Sequence, residues 1–215
     1  MADHTNFSTE QEAFWAGEFG TAYISRNQGP ELLASNLRFF VDALRSARQV
    51  GSCLELGANI GMNLQALKLL YPGIETYALE INGTAAESLR KLLGPSSVSE
   101  GSIVDFVPHR TWDLVLIKGV LIHTNPEILE TVYGKMVQAC GRYVLLAEYY
   151  NPTPVAIPYR GHPDKLFKRD FAGDLCRAFP ALELVDYGFS YHLDRAFPQD
   201  DITWFLLEKR DRPHS

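Results

Sequence analysis

The run Cys53-Leu54-Glu55-Leu56-Gly57-Ala58-Asn59-Ile60-Gly61-Met62-Asn63 limits what this chain can fold into more than any other segment. Its apolar start reads as a buried strand, Gly57 as a sharp turn off that strand, and the residues from Gly61 onward as the opening of a helix. A second apolar run, 75–80, closes on a carboxylate, Glu80. Strand, turn, helix and strand in this order make a parallel β-α-β unit, whose ligands collect beyond the C-terminal strand ends. Gly57 lets the chain leave the strand sharply, and Gly61 is expected to let the backbone approach a ligand closely. Glu80 stands 23 residues after Gly57, near the distance at which a second-strand acid reaches a ribose diol.

The glycine spacing narrows the choice among nucleoside-bearing ligands. A dinucleotide turn uses G-x-G-x-x-G, so that the pyrophosphate sits on the helix N-terminus. Here the spacing is G-x-x-x-G, Asn59 occupies the place of the second glycine, and Glu55 precedes the turn. A carboxylate there repels a pyrophosphate but can bind the ammonium of a methionine moiety. S-adenosylmethionine therefore fits better than a nicotinamide dinucleotide. Glu55, Gly57, Asn59, Gly61, Asn63, Glu80 and Ile81 form the first part of the expected cofactor site. A ligand-free structural turn is the plainer alternative, and the joint occurrence of Glu55, Gly57, Gly61 and Glu80 in register argues against it.

A chain of 215 residues suffices for one α/β domain with a full core. Its net charge of −6 argues against DNA or RNA as the principal partner. Cys53, Cys140 and Cys176 are odd in number and widely spaced, which gives neither a zinc pattern nor a disulfide framework. No metal is expected, and a reduced, cytoplasmic setting is. The polar opening reads as lacking a signal peptide. The longest apolar stretch, 114–122, is too short to cross a bilayer and contains Lys118.

Periodicity and breakers predict helices over 8–17, with Ser8 as its N-cap, and from Pro30, with residues 19–27 as a connector between them. Strands are expected at 52–57, 75–80, 98–102, 112–118 and 143–148, with helices at 61–71, 84–93, 127–140 and 171–179. Residues 149–170 read as a long aromatic and charged loop, and two final strands, 182–189 and 202–208, as an antiparallel pair. The fold expected is a doubly wound, mostly parallel seven-stranded sheet of Rossmann-like type ending in an antiparallel hairpin. The organisation expected is an N-terminal helical lid (1–34) and a cofactor-binding domain (35–215) with an insertion at 149–170.

Glu55-Leu-Gly57-Ala-Asn59-Ile-Gly61, Glu80, and Trp112-Asp113-Leu-Val-Leu-Ile-Lys118-Gly119-Val-Leu-Ile-His123 resemble the motifs of class I S-adenosylmethionine-dependent methyltransferases over about residues 35–210. A closer likeness lies in Trp15-x3-Phe19-Gly20-x2-Tyr23-x2-Arg26-Asn27, Ala147-Glu148-Tyr149-Tyr150-Asn151-Pro152-Thr153-Pro154, Tyr159-Arg160-Gly161, Leu166-Phe167-Lys168-Arg169-Asp170-Phe171-Ala172-Gly173 and Asp200-Asp201-Ile-Thr-Trp204. These look like the methylases associated with pseudaminic acid biosynthesis. The resemblance implies N- or O-methylation of a small polar acceptor, such as a sugar, a sugar nucleotide or a secondary-metabolite intermediate. It also implies that Ser102 and Ile103 flank the adenine, and that the backbone at Lys118-Gly119 lies beside the sulfonium. A lysine ammonium aimed at that cation is unfavourable, so the carbonyl is expected to face it.

His123, just past the fourth strand, is the candidate general base, because histidine titrates near neutrality. A histidine that caps the next helix or binds a carbonyl is the competing reading. Glu148 and Tyr149 end the fifth strand and are candidates to orient an acceptor hydroxyl or amine. Tyr150, Tyr159, Arg160, His162, Lys168 and Arg169 read as the acceptor-binding set, with rings to cover a sugar and guanidinium groups to grip a phosphate or carboxylate. Tyr23 and Arg26 are expected to close over the methionine end. A monomer or homodimer is expected. A non-catalytic cofactor-binding subunit and a dinucleotide-dependent oxidoreductase or epimerase are the alternatives.

Overall fold

The computed structural model describes residues 7–210, apart from the side chains of residues 162–164, so the candidate His162 lies outside the described side chains. The chain runs α1 (Glu10–Ala16), α2 (Glu18–Ile24), α3 (Pro30–Ala43), β1 (Ser52–Leu56), α4 (Met62–Leu70), β2 (Glu75–Glu80), α5 (Gly83–Leu93), β3 (Val98–Glu100), β4 (Trp112–Lys118), α6 (Leu129–Ala139), β5 (Cys140–Glu148), β6 (Val155–Tyr159), β7 (His162–Lys168), α7 (Phe171–Ala178), β8 (Leu182–Ser190) and β9 (Ile202–Lys209). Seven strands form one sheet in the order β3-β2-β1-β4-β5-β9-β8. The first five are parallel, and β9 runs antiparallel between β5 and β8. This is the doubly wound sheet with a terminal antiparallel hairpin that the strand pattern predicts.

Alternation along the central strands divides the core between the two faces of the sheet. Leu114 and Leu116 pack with Phe39, Phe40, Leu64, Leu67 and Leu89 on the side of α3, α4 and α5. Val115 and Ile117 point the other way, to Val132, Met136, Phe171 and Leu175 of α6 and α7. Side chains on successive strand residues face opposite ways, so a strand buried on both faces must be apolar throughout, as 114–117 is. No helix among the described residues is long and apolar enough to cross a membrane.

Three expectations change. Residues 19–27 are not a connector: 18–24 form α2, and Thr9, not Ser8, caps α1 by accepting from Glu12 N–H. Trp15, Phe19 and Tyr23 recur every four residues, and Trp15 sets its ring edge-on to each of the other two at centroid distances of 5.3 Å. Gly20 is required in this pair, because a Cβ there would collide with the Trp15 carbonyl. Residues 149–170 are not a structureless loop, since β6 and β7 pair antiparallel within them. Their tip, Arg160-Gly161, has φ of 48° and 89°, the two positive values that a tight hairpin turn needs. The division expected between residues 34 and 35 falls inside α3.

Asn82 joins the N-terminal helices to the sheet. It caps α5 by accepting from Ala85 N–H, and its Nδ2 lies 3.1–3.3 Å from the carbonyl oxygens of Trp15, Ala16 and Gly17 and the Thr21 hydroxyl. With the residue only 3% exposed, these carbonyls have little access to water as a replacement partner. Asn82→Ala should cost about 1 kcal/mol or more of stability as a lost cap. It should also speed hydrogen exchange across residues 10–24 while the amides of β4 stay protected. Equal acceleration in both regions would show that Asn82 supports the whole fold and not the helical pair.

Candidate active site

The glycine turn after β1 is shaped by what lies against it. Gly57 has φ of 77°, and a Cβ there would stand 2.6 Å from Val120 Cγ2, so only glycine lets the turn pass so close to the residues after β4. Asn59 also adopts a positive φ, 48°, a region that asparagine tolerates better than most side chains. Gly61 does something other than approach a ligand. It caps α4 with φ of 83°, and an added Cβ would stand 2.8 and 2.9 Å from Leu92 and Leu89, so it serves close packing of α4 on α5 and does not line the cavity described below.

Glu80 fastens this turn. Its Oε2 accepts from Asn59 N–H at 2.7 Å and its Oε1 from Asn82 N–H at 2.8 Å. The residue is only 7% exposed, and burial raises its carboxyl above the usual range, partly offset by the backbone N–H groups. Each carboxylate oxygen keeps a second lone pair. A cavity of about 570 Å³ opens at Glu80, a size suited to a nucleoside-bearing ligand. Tyr23, Arg26, Gly57, Asn59, Asn63, Ile81, Ser102, Ile103, Lys118, Gly119 and His123, all expected at the site, line it too. Trp15 also lines it, although Asn59 Oδ1 and Trp15 Nε1 themselves are buried with no hydrogen-bond partner among the described residues.

Glu55 lies behind this wall. It is buried, its Oε1 accepts from Asn63 Nδ2 at 2.6 Å, and its Oε2 has no partner among the described residues. Burial lifts its carboxyl to about 8, against the opposing pull of Asn63 and Lys118. Burial thus favours its protonated form, and its bond to Asn63 ties the strand end to the start of α4, the turn-ordering role that is the other reading of this acid. Lys118 turns its Nζ over the Phe39 ring at 5.4 Å. Burial lowers its ammonium, with Glu55, Asp200 and Glu148 opposing.

The far wall comes from the segment after β4. Residues 121–123 make a single 3-10 turn, and the Glu148 carboxylate at the end of β5 accepts from the N–H groups of Val120, Leu121 and Ile122 at 3.0, 3.0 and 3.3 Å. Burial raises Glu148 to about 7, and those N–H groups hold it down from higher. Glu148 is thus committed to backbone and does not face the cavity, which corrects its assignment to the acceptor. It positions the turn that carries His123. The His123 ring sits between Trp15 and Tyr159, at centroid distances of 4.7 and 4.8 Å. Its Nδ1 lies 2.6 Å from the Lys165 carbonyl, which fixes the proton on Nδ1 and leaves the Nε2 lone pair free. Burial pushes His123 down to about 4, so it is neutral near pH 7 and a weaker base than the general-base expectation requires. Its geometry suits accepting a hydrogen bond.

The expected acceptor set does not assemble as a group. Tyr159 backs His123, Arg160 lies over the Tyr159 ring, and Lys168 lies over the Tyr149 ring. Arg169 pairs with Asp174 of α7, and Tyr150 is exposed against Phe205 in a separate groove. None of these lines the main cavity, and neither does Tyr149, whose hydroxyl burial and Asp200 hold in its protonated form. Sequence reasoning missed Glu12, whose carboxylate accepts from the Ser102 and Thr9 hydroxyls, and the connector residues Gln199 and Asp200. Gln199 Nε2 donates to Asn36 Oδ1 at 2.9 Å, which pins that connector over α3. The polar and aromatic run 191–201 was visible as a signal. Its position was not.

No family model and no curated protein sequence matches the chain. Solved structures share its fold at low identity. The methyltransferase bound to the Haloferax volcanii Trm112 activator gives a TM-score of 0.66 at 15% identity, over 91% of this chain and 97% of that one. The mitomycin 7-O-methyltransferase MmcR gives 0.65 at 14% identity, over 93% and 60%, so this chain spans about 60% of its length. The glycopeptide N-methyltransferase MtfA, complexed with S-adenosylhomocysteine, gives 0.61 at 15% identity, over 82% and 90%. The chain has the α/β fold of class I methyltransferases.

The two buried acids make stability depend on pH. Unfolded, Glu55 and Glu148 lose their protons near 4.5; folded, they hold them to about 8 and about 7. The folded state therefore binds more protons in that window, and stability that is full below 4.5 is lost as pH rises toward 8. Glu55→Gln removes one of the two contributions. The difference in urea midpoint between about pH 5 and about pH 8 should shrink in this variant. An unchanged difference would mean that Glu55 is ionised in the fold.

Proposed function

We propose that this chain is an S-adenosylmethionine-dependent methyltransferase that transfers a methyl group to a nitrogen or oxygen of a small polar acceptor. The observation that carries the reading is Glu80: a buried acid at the end of β2, fixed by two backbone N–H groups, with spare lone pairs on the wall of a 570 Å³ cavity. Bound there, the cofactor supplies an electrophilic methyl group on a sulfonium.

In this reading Glu80 accepts from both ribose hydroxyls, with the charge-assisted bonds that a carboxylate gives. Ile81, Ser102 and Ile103 form the slot for the base, with Glu12 holding the Ser102 hydroxyl in place. Gly57, Asn59 and Gly119 present backbone to the rest of the cofactor. Tyr23 and Arg26, on and just after α2, close the methionine end, and Asn82 holds that helical pair down. Trp15 and His123, backed by Tyr159, make an aromatic wall that limits the acceptor's approach, with His123 Nε2 accepting a hydrogen bond. Rate then comes mainly from holding nucleophile and methyl carbon in line.

For the acceptor we propose a sugar, a sugar nucleotide or a secondary-metabolite intermediate. Support comes from the resemblance of the 15–27, 147–173 and 200–204 motifs to pseudaminic acid-associated methylases, and from a net charge of −6 that disfavours nucleic acid. We place the protein in the cytoplasm on the strength of three unpaired cysteines, and we propose that it acts as a monomer or homodimer.

Glu80→Ala should weaken S-adenosylhomocysteine binding by about 1–3 kcal/mol, the cost of stranding the ribose hydroxyls. Isothermal calorimetry reads this directly, with NAD as the competing ligand. Tighter binding of NAD than of S-adenosylhomocysteine by the unmodified protein would replace methyl transfer with hydride chemistry. Unchanged affinity in the variant would remove Glu80 from the site.

A further inference from the structure

Because β9 runs antiparallel to β5, with Thr203 opposite Glu148, the residues just before β9 arrive at the same rim as the ends of the parallel strands. Asp200 is delivered there. It lines the cavity, its carbonyl accepts from Ile202 N–H at 2.7 Å, and its neighbour Gln199 is tied to Asn36. Tyr149, Tyr23 and Lys118 all lie within the electrostatic reach of its carboxylate. Four segments distant in sequence thus converge on one carboxylate.

Three acids line the cavity, and two are already committed. Glu80 takes two backbone N–H groups, and Glu12 takes the Ser102 and Thr9 hydroxyls. Asp200 is exposed on the cavity wall, and no backbone N–H binds its carboxylate among the described residues. The chemistry of the proposed reaction makes such an acid useful. When a neutral hydroxyl or amine attacks a sulfonium methyl, positive charge moves from sulfur onto the attacking atom, and its hydrogen becomes strongly acidic. A carboxylate within hydrogen-bond distance is drawn to that growing charge and takes the proton. His123, neutral and wedged between two rings, supplies no such charge.

We propose that Asp200 is the catalytic residue that accepts the proton of the acceptor's O–H or N–H during methyl transfer. The acceptor's lone pair forms the new bond to the methyl carbon. The carbon–sulfur bond breaks with its electron pair staying on sulfur, which becomes a neutral thioether, and the proton passes to the Asp200 carboxylate. The inference rests on the methyltransferase reading and adds a residue to it.

Sinefungin tests it without knowledge of the acceptor, because this cofactor analogue carries an amine where the transferred methyl would be. An acid at the transfer point bonds that ammonium. Calorimetry on the full chain should show sinefungin bound about fivefold or more tighter than S-adenosylhomocysteine, the scale of one exposed charge pair. In Asp200→Asn, S-adenosylhomocysteine affinity should stay within about twofold while the preference for sinefungin disappears. Asp200 is exposed, so the substitution leaves the core untouched. A preference that survives in the variant, or is absent from the unmodified protein, overturns the proposal. So does an equal loss for both ligands, which would assign Asp200 to the methionine end. Failure of the unmodified protein to bind either ligand would bring down the methyltransferase reading itself, an outcome distinct from these.

Discussion

One buried carboxylate holds two pieces of backbone that otherwise have no reason to stay together. Glu80 ends β2, yet its two oxygens are bound by Asn59, in the turn after β1, and by Asn82, at the cap of α5. Without that acid, the positive-φ turn at 57–59 would be tied to β2 only through the bonds of Gly57 and Ala58 N–H to the Leu79 carbonyl. Burying an acid is unfavourable, and the energy is recovered only if its oxygens are well bonded. Here the two backbone N–H groups supply that bonding.

The same device recurs across the cavity. Glu148 gathers the three N–H groups of the 120–122 segment, groups that a lone 3-10 turn leaves unsatisfied. Two acids at the ends of two strands thus bind the backbone of the opposite lips of the cavity, and those N–H groups offset part of the rise that burial imposes on each acid. Gly57 lets the lips approach each other, since its missing side chain is the space that Val120 fills. Asn82 extends the framework outward by binding the carbonyls between α1 and α2. Trp15, Tyr23 and Arg26 are carried into the wall as a consequence.

The parts legible in the sequence are those fixed by local pattern. The apolar run 114–117 announced a strand buried on both faces, and Glu80 announced itself by its spacing from Gly57. The parts that were not legible depend on contacts between distant residues. Gly20 and Thr21 look like loop residues until Gly20 is seen to allow the Trp15 carbonyl to pass. The hairpin β6–β7 was hidden by prolines, and its turn needs a positive φ at Arg160, which no propensity favours. Glu148 and Glu55 are acids at strand ends just as Glu80 is, and sequence alone did not tell which of them face ligand and which face backbone. Gly61 matched a binding motif while serving helix packing.

The direction of β9 explains why the site draws on such separated segments. In a wholly parallel sheet the rim would be built by the loops after each strand, all read in sequence order. Reversing one strand brings the residues before it to that rim, so 199–200 join 57–59, 101–103 and 118–125 around one cavity. Loops at a rim can change without disturbing strands packed on both faces. Folds such as this one can therefore be shared, at identities near 15%, by enzymes named for acceptors as unlike as mitomycin and a glycopeptide. The strands fix where the cavity lies, and the N-terminal helices and the residues before β9 complete its wall.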